Sequence, residues 1–405
     1  MKFNIWKNCP KIPITELLSF IVDNRGKTVP TSDEGWKLIA TNCVTNNTLF
    51  PVYEKVRYLT LETYETWFRA HPIPGDILFV NKGTPGRVCM VPDPVDFCIA
   101  QDMIALRADD EKIYNKYLFA VLRSREIQQQ IYNTNVGDVI PHFKKQFMKQ
   151  LLIPVPDRWI QEVIGDIYYE LSYKTELNKK INENLLQQAL AIYKAWFCDY
   201  VLSDGVLPES WHITTIDALS SLVTRGIAPK YDDSSNQIVL NQKCIRDHTI
   251  DVSLARRHLP KKINEKWISK GDLLINSTGT GTLGRVAQVW FDANNMTVDS
   301  HVTIVRPKAP ILQSYIGFWG LSHESEIEAQ HTGSTGQTEL PRDRVKAMEL
   351  PFPDEDTLSK FNELVIPMTD AVVSNQKENA QLSQLRDTLL PKLMSGEIDV
   401  SELEL

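Results

Sequence analysis

The sequence predicts an α+β protein built as a tandem pseudo-repeat, in which two globular α/β regions are separated by two long antiparallel coiled-coil helices. Two observations predict this fold. Short motifs recur in the same order about 200 residues apart, and each copy ends in a stretch with apolar residues at every seventh position. This period is much longer than that of a solenoid repeat, so it indicates a duplicated domain.

The two heptad stretches, 159–200 and 357–393, predict long helices that pack on each other. An apolar seam sustained in this way is normally buried against another helix. Two independent core helices are the alternative. The seam positions are Ile164, Leu171, Asn178, Leu185 and Ile192, then Phe361, Met368, Asn375, Leu382 and Leu389; supporting positions three residues later are Ile167, Ile181, Leu364, Ala371 and Leu385.

Each seam has an asparagine at its third position, Asn178 or Asn375. A buried asparagine costs stability but fixes which helix faces which, so both residues are predicted to set the register of the helix pair. Pro367 is expected to kink or split the second helix, and Pro391 with Gly396 to end it. A helix of about 40 residues would span roughly 60 Å, which exceeds one turn of DNA.

The globular part of each copy predicts the same elements in the same order. Turns at Pro74-Gly-Asp76 and Lys270-Gly-Asp272 lead into strands, and a Pro-x-Pro-Asp motif places Asp157 or Asp354 to cap the following helix. The predicted elements are helix-like stretches at 14–22 and 216–223, strands at 77–80, 87–91, 104–107, 273–276, 285–290 and 302–306, and helical segments at 116–131 and 313–329.

The composition indicates a soluble globular protein that stays in the cytoplasm. The 405 residues are 42% hydrophobic and 23% charged, as in ordinary domains. No apolar run approaches the roughly 20 residues of a membrane helix, and no signal-peptide core follows Met1. Six cysteines without a C-x-x-C pair favour free thiols over a zinc site. The net charge of −7 argues against a free-standing nucleic-acid binder, so such a function must rest on local patches or on a basic partner.

Two glycine motifs suggest nucleotide binding but lack the required context. Gly279-Thr-Gly281-Thr-Leu-Gly284 matches the dinucleotide pattern, but strand-like residues follow where a helix must open on the loop. Gly26-Lys27-Thr28 resembles the end of a P-loop, but Ile21 stands where its first glycine is needed. We therefore interpret both as turns.

A metal-dependent nuclease is a second hypothesis. Asp93 and Asp110-Glu111-Lys112 combine paired acids with a lysine, a set that could hold magnesium, but the second copy has no counterpart. The scattered histidines predict no metal cluster, and no serine, cysteine or histidine constellation has local support.

A basic segment favours nucleic-acid contact. Between Arg225 and Lys270 there are ten Lys or Arg against five Asp or Glu, with Tyr231, Asn236, Gln237, Asn241, Gln242 and Trp267 nearby. Such residues neutralise phosphates and read base edges, although a charge run is also typical of a solvated surface. The first copy is sparser in these residues: Arg25, Lys27, Lys37, Lys82, Arg87, Lys144, Lys145 and Lys149. Polar loops at 133–138 and 331–338 either meet DNA or cover the sheet edge.

Taken together, these features resemble the specificity subunit of type I restriction–modification systems over essentially the whole chain. The resemblance rests on two variable globular regions, two heptad helices and the Pro-x-Pro-Asp start of each helix. It also rests on two helix ends, Ala195-Trp-Phe-Cys-Asp199 and Leu389-Leu-Pro-Lys-Leu-Met-Ser-Gly-Glu-Ile398. Singly these motifs are loose, but their order and duplication are specific.

The resemblance implies a non-catalytic subunit with target recognition domains at 1–156 and 201–353, a central spacer helix at 157–200, and a distal helix and tail at 354–405. Each recognition domain would read one half of a split DNA target, and the helices would set the gap and dock two methyltransferase subunits. S-adenosylmethionine would belong to those subunits, and ATP with magnesium to motor–nuclease subunits. The chain itself would bind no cofactor, consistent with its lack of an N-P-P-Y motif and of a complete P-loop.

The candidate DNA contacts are polar residues at equivalent places in the two copies. They are Lys82, Thr84, Arg87, Gln101 and Asp102 in the first, and Lys243, Arg246, Ser277, Thr278, Thr280, Arg285, Ser300 and His301 in the second. Two alternatives remain open at this point: a free-standing metal-dependent DNA nuclease, and a coiled-coil adaptor that does not bind DNA.

Overall fold

The computed structural model describes residues 4–24, 28–134, 141–259, 262–333 and 338–398. The chain forms two compact units: unit 1 comprises Met1–Lys179 with Lys377–Leu405, and unit 2 comprises Lys180–Gln376. Arg25, Gly26 and Lys27 lie outside the described residues, as do most of the loop predicted at 133–138 and part of that at 331–338. The four-part functional division of the sequence stays a prediction.

Two long helices confirm the central expectation. The first long helix is Arg158–Phe197 and the second long helix is Glu355–Ser395. The other α-helices are Ile5–Asn8, Leu61–Thr66, Asn115–Arg123, Arg125–Asn133, Ile216–Leu219, Gln313–Ser322, Glu324–Ala329 and Arg342–Lys346. Short 3-10 turns are Ile14–Glu16, Thr41–Cys43, Lys145–Gln150, Val201–Ser203, Gln242–Cys244, Val252–Leu254, Asn264–Lys266 and Pro310–Leu312.

The described residues of unit 1 form three small sheets. A four-stranded antiparallel sheet has the order Leu18–Val22, Met103–Ala108, Ile77–Val80, Val88–Met90. A three-stranded sheet has the order Arg57–Leu59, Trp36–Ile39, Phe97–Ile99, with the last pair parallel. Lys11–Pro13 pairs with Leu152–Pro154.

Unit 2 repeats this topology strand for strand, which confirms the pseudo-repeat. Its four-stranded sheet has the order Ser220–Arg225, Val302–Pro307, Leu273–Asn276, Val286–Gln288. Its three-stranded sheet has the order Arg256–Arg257, Ile238–Leu240, Met296–Val298, again with the last pair parallel. His212–Thr215 pairs with Glu349–Phe352, and Ile245–Arg246 with Thr249–Ile250 forms an additional hairpin.

The helix-like stretches predicted at 14–22 and 216–223 were wrong beyond their first turn. Each is a short helical turn followed by an edge strand, Leu18–Val22 or Ser220–Arg225. Pairing with the neighbouring strand overrides the weak local helix preference. The helical segments at 116–131 and 313–329 do form, but Ser124 and His323 each divide them into two helices.

Each globular core is closed by both long helices. In unit 1, Ile164 and Tyr168 of the first long helix and Leu393 of the second join the core cluster. In unit 2 the cluster contains Tyr193 and Phe197 of the first helix, together with Leu358, Phe361, Val365 and Val372 of the second. The start of one helix and the end of the other therefore serve the same unit, as an antiparallel pair requires.

The buried seam differs from the predicted one at its supporting positions. Ile181, Leu364 and Leu385, three residues after seam positions, are 40%, 44% and 46% exposed. The buried residues instead follow the seam by four positions and include Tyr168, Thr175, Ala189, Val365 and Val372. A helix that covers a globular core presents a broader face than a narrow coiled-coil seam, which explains the shift.

The second long helix is not split at Pro367; a kink, which was the other expected outcome there, stays a prediction, and the helix ends next to Gly396 as expected. It continues through Pro367 and Pro391 and ends at Ser395, where Gly396 has φ +70°. Burial of Phe361, Val365, Leu390 and Leu393 along the helix supports it across both prolines, while the glycine at its end favours the left-handed backbone.

The seam asparagines make side-chain contacts across the helix pair in each unit. In unit 1 the fully buried Asn178 donates through Nδ2 to Glu378 Oε2 at 2.7 Å and to Asn379 Oδ1 at 2.9 Å. In unit 2 Asn375 donates to Asn182 Oδ1 at 2.8 Å. Asn178 therefore bonds Asn379, which is four residues after Asn375, and Asn375 bonds Asn182, which is four residues after Asn178. These directional bonds favour one offset of the helices; their role in setting the register stays a prediction.

A buried aspartate supports the four-stranded sheet of each unit. Asp76 receives two hydrogen bonds from Arg107, at 2.9 and 3.0 Å. Asp272 receives two from Arg306, at 2.9 and 2.7 Å. Both carboxylates are 1% exposed. The Gly-Asp turns of the sequence thus supply the acid of a duplicated, bidentate ion pair.

Asp354 caps the second long helix as predicted. Its Oδ1 accepts a hydrogen bond from the Thr357 amide at 2.8 Å, and its Oδ2 accepts one from Trp211 Nε1 at 3.0 Å. The Thr357 amide is the main cause of the lowered pKa of this carboxyl. Because the folded pKa is depressed, the stabilisation is present at neutral pH and is lost as the pH falls through the folded pKa.

We expect Asp354→Ala to lower the free energy of unfolding by about 1 kcal/mol at neutral pH, because the cap is lost. Urea unfolding followed by circular dichroism should show this difference shrinking in acid. Asp356→Ala is the control, since Asp356 is exposed and bonds Lys360 one turn along the same helix. An equal loss in both variants would contradict the capping role.

Candidate nucleic-acid interface

Three segments meet at the same end of the four-stranded sheet in each unit. Loops 81–87 and 277–285 follow the strands Ile77–Val80 and Leu273–Asn276. The turn before the next strand contacts each loop: Asn81 N donates to Asp102 O at 2.9 Å, and Ser277 N donates to His301 O at 2.8 Å. The third segment follows at 141–143 and 338–340.

The third segment is bonded in the same way in both units. Phe143 N donates to Asn81 O at 2.8 Å, and Leu340 N donates to Ser277 O at 2.8 Å. The duplicated sheet therefore carries a duplicated cluster of surface segments at one edge. Surface segments held by a rigid sheet are a common arrangement for binding sites.

The glycines give the unit 2 loop a closed base and an open tip. Gly284 has φ +86°, and an added Cβ would lie 2.6 Å from Glu328 Cβ. Gly281 has φ +72°, with no atom within 4 Å of such a Cβ. The strand Val286–Gln288 follows directly. A dinucleotide site needs a helix there, so the loop lacks the phosphate-binding geometry of the motif that it matches.

The unit 1 candidates all lie on two of these segments. Lys82 and Arg87 are exposed on the loop, and Thr84 is half-buried between them. Gln101 and Asp102 form the facing turn, where Asp102 O also accepts from Lys82 N at 3.3 Å. The structure thus brings the five predicted residues of this unit to one edge.

In unit 2 a hydrogen-bonded cluster occupies the same place. Thr278 Oγ1 lies 2.8 Å from His301 Nδ1, and Gln242 Nε2 donates to Thr278 Oγ1 at 2.7 Å. His301 N donates to Asp299 Oδ1 at 2.9 Å. Burial raises the pKa of the Asp299 carboxyl, and the His301 amide partly offsets that effect. Ser300 lies between Asp299 and His301.

Gln242 links the loop to a fourth segment. Besides its contact with Thr278, its backbone carbonyl accepts from Asn276 Nδ2 at 3.1 Å. Lys243 follows it and is exposed, as is Arg246 on the neighbouring hairpin. Sequence reasoning placed Gln242 in the basic patch but did not assign it to the site; only its long-range contacts reveal it.

The remaining unit 2 candidates differ in accessibility. Thr280 is exposed and Arg285 is half-buried. Ser277 is fully buried, and its hydroxyl lies 2.6 Å from Thr303 Oγ1. Ser277 therefore stabilises the base of the loop and does not reach the surface, because its side chain points to the interior of the sheet.

Several cations of the basic segment support the fold. Arg256 stacks on the Tyr231 ring, 3.4 Å from its centroid. Arg257 Nη1 donates to Ser235 O at 2.6 Å, and Lys270 pairs with Asp370 at 3.3 Å. The segment is consequently a weaker phosphate-binding surface than its charge count suggests.

The residues of the nuclease hypothesis show structural contacts. Lys112 pairs with Asp109 at 2.8 Å within a turn. In the described part of the chain, no group of three histidine, cysteine, aspartate or glutamate side chains is arranged to hold a metal ion. No helix there combines the length and apolar character needed to cross a bilayer.

Comparison with known sequences shows which proteins this chain is similar to. Residues 20–187 match the family model described as the type I restriction modification DNA specificity domain. The chain is 23% identical over 349 residues to the type I restriction enzyme MjaIX specificity subunit of Methanocaldococcus jannaschii, covering 81% of this chain and 79% of that one. It is 22% identical to the HindI specificity subunit of Haemophilus influenzae, covering 80% and 86%. The chain is therefore similar to the specificity subunits of type I restriction enzymes over most of its length.

A solved S subunit has the same fold. The crystal structure of the type I restriction–modification S subunit from M. genitalium aligns with a TM-score of 0.58 at 16% identity, over 97% of this chain and 98% of that one. The duplicated α+β architecture with its two long helices is therefore the fold of that solved S subunit.

We expect Ser277→Ala to lower the free energy of unfolding by about 1 kcal/mol, since the Thr303 hydroxyl would lose a buried partner. Thr280→Ala, at the exposed tip of the same loop, should change it by less than about 0.5 kcal/mol. Chemical denaturation measures both. Equal stability of the two variants would show that Ser277 has no structural role.

Proposed function

We propose that this chain is the DNA sequence-recognition subunit of a type I restriction–modification complex and has no catalytic site of its own. Similarity to the type I specificity subunits and the duplicated cluster of surface segments support the proposal. The single observation that carries it is that both units present equivalent polar loops from the same edge of the same sheet. Two units with the same fold but different loop sequences are suited to bind a DNA target whose two halves differ in sequence.

Each unit would read one half-site by direct contact. Exposed cations, namely Lys82, Lys243 and Arg246, are suited to phosphates, which position a protein on DNA without specifying sequence. Arg87, Gln101, Arg285 and His301 carry donors or acceptors that can read base edges. Because the loops at 81–87 and 277–285 differ in length and composition, the two half-sites should differ as well.

The helix pair would set the gap between half-sites and dock two methyltransferase subunits. Supporting this, Tyr173, Leu177 and Leu385 in unit 1 and Ile181, Leu364 and Ile366 in unit 2 are exposed apolar residues on the long helices. Exposed apolar surface of this kind favours protein contact. S-adenosylmethionine would be held by those partners, and ATP and magnesium by motor–nuclease subunits.

The half-site assignment predicts separate effects of two equivalent arginines, Arg87 and Arg285. We expect Arg285→Ala to reduce discrimination in one half-site about 5- to 150-fold, if it makes a base contact worth about 1–3 kcal/mol. Arg87→Ala should act on the other half-site. Binding of full-length protein with its methyltransferase partner to targets scrambled in either half measures both.

The same assay separates the rival functions. Equal binding of cognate and scrambled targets by the wild-type protein would overturn the recognition role and favour an adaptor. Cleavage of DNA by the purified chain with magnesium alone would favour a nuclease. Arg344→Ala provides a surface control, since Arg344 is exposed on the helix Arg342–Lys346.

A further inference from the structure

In each unit an ion pair joins the end of the edge strand to the third interface segment or to the turn that directly follows it. In unit 2, Arg225 Nη2 lies 2.8 Å from Glu339 Oε1 and donates to Leu340 O at 2.9 Å. Arg225 is the last residue of the strand Ser220–Arg225. In unit 1, Lys145 Nζ lies 3.0 Å from Asp23 Oδ2. Both contacts involve the residue that follows the same strand position.

The strand register shows that Asp23 and Arg225 are equivalent. Val22 pairs with Ala105, and Thr224 pairs with Ile304. Ala105 and Ile304 are each the third residue of the neighbouring strand, counted from Met103 and Val302. The two ion pairs therefore share an equivalent strand-end residue of opposite charge, but their partners differ, since Lys145 lies two residues after Phe143 and Glu339 lies one residue before Leu340. Both units therefore form an ion pair at this strand-end position, although the residue there is Asp23 in unit 1 and Arg225 in unit 2.

The Arg225 ion pair connects to the candidate DNA-contacting residues through the backbone. Glu339 forms isolated antiparallel bridges with Thr278 and Thr332. Leu340 N donates to Ser277 O, so the guanidinium holds a segment that lies directly against the loop 277–285. Thr278 in turn contacts His301 and Gln242. Arg225 is thus connected to the candidate residues of the loop 277–285 through Glu339 and Leu340, without being one of those candidates itself.

The exposure of the pair suits positioning better than global stabilisation. The Arg225 and Glu339 side chains are 22% and 58% exposed, and partly exposed ion pairs add little to the stability of a fold. The planar guanidinium nevertheless holds two acceptors, a carboxylate and a carbonyl, in one fixed geometry. A lysine has no such fork and could not reproduce both contacts together.

We propose that Arg225 is a positioning residue for the half-site read by unit 2, and that the Asp23–Lys145 pair does the same for the half-site read by unit 1. Neither pair needs to touch DNA. The Arg225 pair fixes the third interface segment of unit 2, and the Asp23–Lys145 pair fixes the turn that directly follows that segment in unit 1, so each controls discrimination at one half-site only. This inference rests on the proposed recognition function.

The test is adenine-methylation sequencing of cells that carry the full-length chain and its methyltransferase partner. Arg225→Met should lower the preference for cognate bases about fivefold or more in one half-site, the population shift expected when a weak local contact is lost. The other half-site should stay unchanged. Arg225→Lys should give an intermediate value, and Lys145→Met should affect the opposite half-site.

Lys308→Met is the matched control. Lys308 also donates to a backbone carbonyl, Ala218 O at 2.7 Å, but it follows the opposite end of the strand Val302–Pro307. It should leave both half-sites intact. Thermal unfolding of each purified variant provides the second readout, and the midpoint of Arg225→Met should stay close to that of the wild type.

Two results would overturn the inference: unchanged discrimination in Arg225→Met, or equal relaxation of both half-sites together with a lower unfolding midpoint, which indicates general destabilisation. Absence of any two-part methylated motif with the wild-type chain would overturn the proposed function, and this inference with it. A two-part motif that Arg225→Met leaves intact would overturn the inference alone.

Discussion

Closure of each core by both long helices is the constraint on which the rest of the structure depends. The core of unit 1 needs Ile164 and Tyr168 from the first long helix and Leu393 from the second. That of unit 2 needs Phe197 from the first and Phe361 from the second. The core of unit 1 combines two separate stretches of sequence, Met1–Lys179 and Lys377–Leu405, whereas unit 2 is the continuous stretch Lys180–Gln376. The asparagine contacts then favour one offset of the helices within each unit.

This constraint explains why the framework is duplicated closely while the interface diverges. Both sheets keep the same strand order and the same bidentate ion pair, Asp76 with Arg107 and Asp272 with Arg306. Changes there would weaken a core shared with the helices. Apart from the residues at their bases, the loops at the sheet edge do not contribute to this core. They differ in length, charge and hydrogen bonding. A recognition protein can change its target in this way without changing its fold.

The sequence predicted the elements whose signals are local. Strands Ile77–Val80 and Leu273–Asn276 were predicted to the residue, because each is a fully buried run after a Gly-Asp turn. The edge strands were missed, because their extended form depends on pairing with a distant neighbour. The supporting seam positions were misplaced by one residue because the helices pack on globular cores. For the site, residues at equivalent positions in the repeat lie on equivalent loops, and their contact with DNA stays a prediction. Gln242 and Arg225 escaped assignment, because their partners lie 36 and 115 residues away.

The most direct test of the account is to lengthen both long helices together. Seven residues inserted after Lys179 and seven after Gln376 would preserve the buried faces to within about 20° and add about 10 Å to each helix. If the helix pair sets the gap between two half-sites, methylation sequencing should show both half-sites unchanged and the gap longer by about three base pairs. An unchanged gap, in a variant that folds and still directs methylation, would contradict the account.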